Sequence, residues 1–250
     1  SEEVVADETA LGEIVLNLPS DADIIIAVGA GTINDLCKFA SYKLGLDYII
    51  AATAPSMDGF ASVGAALIAK HLKTTYPTHT PIAIIGDTDV LKNAPMDMIA
   101  AGFADILGKY TCLLDWKISH IINGEYYCDM VVDMVKDAIR KVISLAEGIT
   151  RRDEKAIESI MEALVLTGIA MSFVGNSRPA SGSEHHMSHY WEMKFLFQER
   201  KAVLHGIKVG IGTVASSYMY HQLIKEEPDF VQAKKTAEQF DKKQWEREMH

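Results

Sequence analysis

Three histidines within five positions mark the segment richest in chemistry: GSEHHMSHYWEM, Gly182 to Met193, carries His185, His186 and His189 beside Ser183, Glu184 and Ser188. On a helix His185 and His189, four residues apart, share a face one turn from each other, close enough to act on one site, while His186 points elsewhere. The alternative is a set of satisfied polar residues. In a chain with nine histidines altogether, however, such a cluster favours a catalytic or metal-binding role. A further histidine, His205, opens LHGIKVG, Leu204 to Gly210, where Gly206 permits close backbone approach. Asp105 lies in an apolar, small-residue helical stretch, AAGFADILGKYT, where an unpartnered carboxylate is costly to bury. Its partner is either a metal ion or Lys109, one turn further along. One Asp oxygen and two imidazoles leave positions open on Zn²⁺, Fe²⁺ or Ni²⁺, as a catalytic metal requires.

A second kind of chemistry belongs to turns. AVGAGTINDL, Ala27 to Leu36, ends an apolar strand in a glycine turn and opens a helix. Gly29 and Gly31 let the backbone come close to a ligand, and the free N–H groups of the helix then face any phosphate placed there. The same turn also serves packing alone in many α/β proteins. TAPSMDGFAS follows the next apolar run and offers Thr53, Ser56, Asp58 and Ser62, either as ordinary turn residues or as ligand contacts. Ligands in open α/β sheets bind outside the carboxyl ends of the strands, so two such loops would converge on one crevice.

These residues need elements to hold them. Residues 23–28, 47–52 and 81–85 are short, near-continuously apolar runs, as expected of parallel strands buried on both faces. Thr32 to Leu44 reads as a crossover helix, and the alternation around LKTTYP as a hairpin before the third strand. The chain opens almost directly into a strand pattern. From Asn93 onward the period becomes helical, with Pro95 in a first turn and a long helix to about His120. Others follow at about Asp129 to Ala146, Arg152 to Val174, Glu184 to Glu199 and Gly206 to Ile224. The fold class is therefore an α/β part with a partial Rossmann-like parallel sheet, residues 1–93, followed by an all-α helical domain, residues 94–250.

Composition narrows the partners. Of 250 residues, 24 are basic and 34 acidic, a formal charge of -10, and no basic patch is concentrated enough for nucleic acid or anionic lipid. No uninterrupted apolar run approaches the roughly 18 residues that span a bilayer, and the acidic start is unlike a signal peptide. Cys37, Cys112 and Cys128 lack CxxC spacing, which fits a reducing cytoplasm. The absence of an initiating Met suggests that the chain is part of a longer one.

Taken in order, GAGTIND (Gly29 to Asp35), TAPSMDGFAS, GFADILGKYT, SRPASGSEHHMSH and HGIKVGIG resemble sn-glycerol-1-phosphate dehydrogenases. That family is similar to iron-containing alcohol dehydrogenases, glycerol dehydrogenase and dehydroquinate synthase. The resemblance runs from about Asp23 to Val214, and SRPASGSEHH followed by HGIKVG is its most specific part. It implies that Asp105, His185 and His205 bind a divalent metal and that His189, Asp58 and the metal-bound Asp105 meet substrate. It further implies that Gly29, Ala30, Gly31, Thr32 and Ile33 cradle the diphosphate of NAD(H) or NADP(H), with Thr53, Ala54, Pro55, Ser56 and Ser62 on the nicotinamide side. Ala30 departs from the all-glycine loop of relatives, although its small side chain still fits.

The implied activity is metal-dependent reduction of dihydroxyacetone phosphate to sn-glycerol 1-phosphate, by a cytoplasmic homodimer supplying phospholipid metabolism. Lys109, Arg178 and Lys208 are candidates for the substrate phosphate. Alternatives are a glycerol dehydrogenase acting on an unphosphorylated polyol, or a non-catalytic metal-binding fragment. Dehydroquinate synthase relatives carry Glu where Asp105 stands. Relatives begin with further strands and end with further helices, and the missing strands are where preference between NAD and NADP would be read.

Overall fold

The computed structural model describes residues 4–241, 243 and 247. Three strands rich in isoleucine and alanine, β1 (Ile24–Gly29), β2 (Asp47–Ala52) and β5 (Ala83–Ile85), form a parallel sheet in the order β1-β2-β5. The register sets Ile26 opposite Ile49 and Ile50 opposite Ile84. Helix α2 (Gly31–Leu44) makes the crossover and ends where Gly45, at φ 69°, turns left-handed and donates its N–H to Ser41. The expectation of strands buried on both faces is corrected. Ile25, Ala27, Tyr48 and Ile50 are buried, but Ile26 and Val28 are 65% and 64% exposed. Burial alternates along β1 because α2 packs on the sheet and the opposite face remains open among the described residues.

The expected hairpin is present as β3 (Gly64–Ala69) antiparallel to β4 (Leu72–Pro77). Its two turn residues, Lys70 and His71, both take positive φ (52° and 61°), the twist that a two-residue hairpin loop demands. The opening strand pattern is corrected to a helix, α1 (Glu8–Asn17), capped by Asp7, whose carboxylate accepts from Ala10 N–H. The Glu8 carboxylate also accepts from Lys70 N–H at the hairpin turn.

The remaining elements are helical: α3 (Thr88–Leu91), α4 (Met96–Asn123), α5 (Asp129–Ser144), α6 (Ala146–Thr150), α7 (Glu154–Val174), α8 (Ser183–Phe197), α9 (His205–Leu223) and α10 (Phe230–Glu238). The fold is thus an α/β part with a parallel sheet followed by a mostly helical part. Pro95 is the N-cap of α4, and Gly124, at φ 68°, closes its far end. Among the described residues α7 is the one helix long and apolar enough to pass for a membrane span. Here it is a core helix, packed on α5 and on the 3₁₀ turn Gly59–Ala61, with Ile157, Ile160 and Leu164 fully buried. The chain divides into two compact units, Ser1–Ser216 and Ser217–His250. Every residue singled out for chemistry lies in the first.

Candidate metal centre

Helix α4 carries Asp105 into the core because its neighbours are small. An added Cβ at Gly102 would meet the carbonyl of Pro55, and one at Gly206 would meet the carbonyl of Ala101. The first contact brings α4 against the loop after β2, and the second brings the start of α9 against α4. His205 is thereby set opposite Asp105 by main-chain contact. The N-terminal turn of α8 supplies His185, and the ligand atoms of Asp105, His185 and His205 all lie within 4.8 Å of one another. His185 Nε2 is 3.7 Å from Asp105 Oδ1, and the rings of His185 and His205 are 5.2 Å apart.

Asp105 is fully buried, and its second expected partner is present too. Lys109 Nζ lies 2.8 Å from Asp105 Oδ1 and 2.6 Å from Asp58 Oδ2, and it donates to the carbonyl of Ala180 at 3.0 Å. The Asp58 N–H donates to Asp105 Oδ2 at 3.1 Å. Burial works to raise the Asp105 carboxyl, but Lys109, His205 and His185 outweigh it and hold that carboxyl below its ordinary range. Asp58 moves the other way, raised by burial and by Asp105 against the pull of Lys109. The metal and salt-bridge readings of Asp105 are thus not exclusive: one ammonium serves two carboxylates and leaves a negative charge over.

Two residues that the sequence reading did not assign complete the setting. Glu184 Oε1 accepts from His185 Nδ1 at 2.8 Å and from Gly182 N–H at 2.7 Å, while its other oxygen accepts from Thr111 Oγ1. Burial favours a raised Glu184 carboxyl, yet His185 and Thr111 hold it lowered. A carboxylate on Nδ1 fixes the ring and leaves Nε2 facing Asp105, the usual support for an imidazole ligand. The available signal was a Glu directly before a candidate His at a helix N-terminus. His205 Nδ1 is buried without a hydrogen-bond partner, and burial pushes its pKa down to about 3 against the pull of Asp105. A neutral imidazole with an unpaired nitrogen, a second braced imidazole and a surplus carboxylate charge fit a divalent cation.

His189 lies near the cluster, its ring 6.3 Å from that of His185 and 6.0 Å from that of His205, with its side chain half exposed. His186 is exposed and outside the cluster, as expected. Beyond His189 lies a contact that the sequence reading missed. Glu192 Oε2 is 3.7 Å from His189 Nδ1, while its Oε1 is 2.7 Å from Lys73 Nζ and 3.1 Å from Lys208 Nζ. Of the three cations named for a phosphate, Lys109 is taken up by the two aspartates, and Arg178 is engaged with Glu125 and Ser119. Lys208 stands one turn from His205.

The turn residues are brought together at the mouth of the sheet. Thr53 N–H donates to the Gly29 carbonyl at 3.0 Å, joining the two loops, and Ala30 is the N-cap of α2 without a side-chain cap. Thr32 and Ile33 lie in the first turn of α2, and the Met57 side chain would crowd a Cβ added at Gly31 or Gly59. Ala54, Pro55 and Ser56 are buried beneath. The Ser62 hydroxyl lies within donating distance of the Gly59 and Gly64 carbonyls and accepts from Lys38, whose Nζ also meets the carbonyls of Gly59, Ser62 and Gly64.

Comparison with known proteins places this arrangement. Residues 2–95 match the model of the family described as iron-containing alcohol dehydrogenase. Over 247 residues the chain is 44% identical to the glycerol-1-phosphate dehydrogenase [NAD(P)+] of Geobacillus thermodenitrificans, covering 99% of this chain and 61% of that protein. It is 47% identical over 217 residues to the enzyme of the same name from Halalkalibacterium halodurans, covering 87% of this chain and 54% of that one. The chain therefore spans little more than half the length of these curated relatives. The crystal structure of glycerol dehydrogenase from Schizosaccharomyces pombe shares its fold, with a TM-score of 0.70 at 22% identity over 86% of this chain and 56% of that one.

Proposed function

We propose, from its likeness to the iron-containing alcohol dehydrogenases, that this chain is the catalytic portion of a metal-dependent dehydrogenase reducing dihydroxyacetone phosphate to sn-glycerol 1-phosphate with NAD(P)H. The observation that carries the reading is the convergence of Asp105, His185 and His205, from three separate helices, within one 4.8 Å cluster. In this reading residues 1–93 bear the nucleotide and residues 94–250 the metal, and the molecule is a cytoplasmic homodimer. Three unpaired cysteines support the cytoplasmic setting.

A divalent cation held by Asp105, His185 and His205 would supply Lewis acidity toward the carbonyl oxygen of the substrate. Glu184 and Thr111 keep His185 presenting Nε2 to that position. Lys109 holds Asp105 and Asp58 in place and moderates their repulsion. Asp58, on the sheet side and paired with Lys109, would hold a substrate hydroxyl. His189 is the half-exposed group beside the cluster, suited to orient a substrate hydroxyl or to pass a proton at a ring nitrogen. On the nucleotide side, the turn from Gly29 at the end of β1 through Ile33 in the first turn of α2 offers N–H groups to a diphosphate. Thr53, Ala54, Pro55, Ser56 and Ser62 form the adjoining wall for the nicotinamide.

The test is metal analysis of the full-length protein paired with NAD(P)H oxidation on dihydroxyacetone phosphate and on dihydroxyacetone. The reading expects stoichiometric divalent metal and a marked preference for the phosphorylated ketone. It expects His205→Ala to lower turnover by more than about 10³-fold, the scale of losing Lewis-acid stabilisation worth several kcal/mol. Full turnover by chelator-stripped protein would overturn it.

A further inference from the structure

The geometry points to Lys73 and Lys208 as the docking point for the phosphate of the substrate, with Glu192 holding the two ammonium groups side by side. This inference rests on the dehydrogenase reading above and names the part of the site that recognises the anionic end of the ketone. Lys73 comes from β4, while Lys208 lies one turn beyond His205 on α9, so two unrelated segments place their Nζ atoms on one carboxylate oxygen at 2.7 and 3.1 Å. Glu192 in turn lies one turn beyond His189 on α8, and the pair is linked to the metal cluster through that ring.

Charge and donor counts both leave room for an anion. Two ammoniums share one carboxylate, which leaves one positive charge over. An ammonium has three N–H donors. Lys208 uses one on Glu192 and one on the Val203 carbonyl at 2.6 Å, and Lys73 uses one on Glu192. Three donors remain without a protein partner among the described residues, matching the three terminal oxygens of a phosphate monoester. The lysines are only partly open to solvent, with side chains 22% and 4% exposed for Lys73 and Lys208, so an anion there would be less screened than on an open surface. Burial lowers the affinity of Lys208 for its proton, and Glu192 opposes that effect.

A salt bridge with a purely structural role would show the same distances but a different response to substrate. The experiment uses the full-length, metal-loaded protein and compares wild type with Lys73→Met and with Lys208→Met. Dihydroxyacetone phosphate and dihydroxyacetone serve as substrates and inorganic phosphate as inhibitor. Lys73→Met should raise KM for the phosphorylated ketone roughly 10- to 100-fold, the scale of losing a charge-assisted contact, with kcat/KM for dihydroxyacetone within about twofold. Inorganic phosphate should compete with dihydroxyacetone phosphate in wild type and lose most of that effect in the variant. Lys73 is the primary site because, as the more exposed lysine, its replacement disturbs packing least. A parallel fall in kcat/KM for both ketones, or undiminished phosphate inhibition in Lys73→Met, overturns the assignment. If wild type fails to reduce dihydroxyacetone phosphate, the dehydrogenase reading fails instead. Calorimetric titration of inorganic phosphate into wild type and Lys73→Met then still decides the anion site: binding lost with Lys73 upholds it, and equal or absent binding rejects it.

Discussion

Two lysine–carboxylate clusters flank His189, and they are built with opposite arithmetic. Around Asp105, two carboxylates share the single ammonium of Lys109, leaving one negative charge over in a buried pocket. Around Glu192, two ammoniums share one carboxylate, leaving one positive charge over in a pocket partly open to water. In the proposed reading a cation would relieve the first imbalance and an anion the second. In that reading a phosphorylated ketone would satisfy both ends at once, with its carbonyl near the metal position and its phosphate near the lysines. The difference teaches that a pairwise inventory of salt bridges conceals function here, because what each site binds follows from the charge left over.

The comparison is most exposed to failure at Lys109. Lys109→Met leaves two buried carboxylates facing each other and should destabilise the metal-free protein by about 3–5 kcal/mol in denaturant titrations, with part of that loss recovered on adding divalent metal. No recovery with metal would break the claim that the surplus charge is the metal's. Lys38 sharpens the point, because it is buried against carbonyls instead of being paired directly with carboxylates. Burial drives its pKa down to about 8, with Asp35 and Asp58 opposing, whereas Asp105 and Asp58 outweigh burial to hold Lys109 raised. Below about pH 8 both folded and unfolded chains carry the Lys38 proton and the burial penalty is present in full. Between about 8 and the ordinary 10.5 the unfolded chain holds more protons, so stability rises with pH. The stability of wild type minus that of Lys38→Met should climb across this window by on the order of 3 kcal/mol, and a flat difference would contradict it.

Smaller effects follow. Glu184→Gln should weaken metal binding about 10- to 100-fold in competition with a chelator, since it loosens the brace on His185 without touching the ligands. Lys73→Met should cost less than about 1 kcal/mol in thermal or chemical unfolding, because its pair is partly solvated. A larger loss would make the Glu192 cluster a structural strut and blur the contrast with Asp105.

Much of this was legible in the sequence, and the limits have physical causes. Strands at 23–28 and 47–52 and the helices from Pro95 onward follow from periodicity, and each was met within a residue or a few of its observed ends. Helix α1 was missed although Leu11, Ile14 and Leu18 recur at helical spacing and pack, partly buried, against the core. The one-sided sheet was missed because a run such as Ile24–Ile25–Ile26 reads alike whether one face or both are covered. His185 and His189 were visible through their four-residue spacing, and Lys109 through its spacing from Asp105. The contacts of Asp58 with Lys109 and of Lys73 with Glu192 join residues far apart in the chain, and no local pattern announces them. Of the three cations nominated for phosphate, Lys208 alone keeps spare positive charge nearby, and its companion Lys73 emerged only when β4 was seen to lie against α8.

At Gly102 and Gly206 there is no room for even one methyl group, since each faces a main-chain carbonyl that cannot swing aside as a side chain would. The imidazole of His205 is therefore aimed by the polypeptide itself, and repacking nearby side chains has little leverage over its direction. Surface change can accumulate around such a centre without detuning it. The smallest alteration at either glycine, alanine, would instead prise two helices apart or push a helix off its loop and leave Asp105 and His205 intact but misdirected.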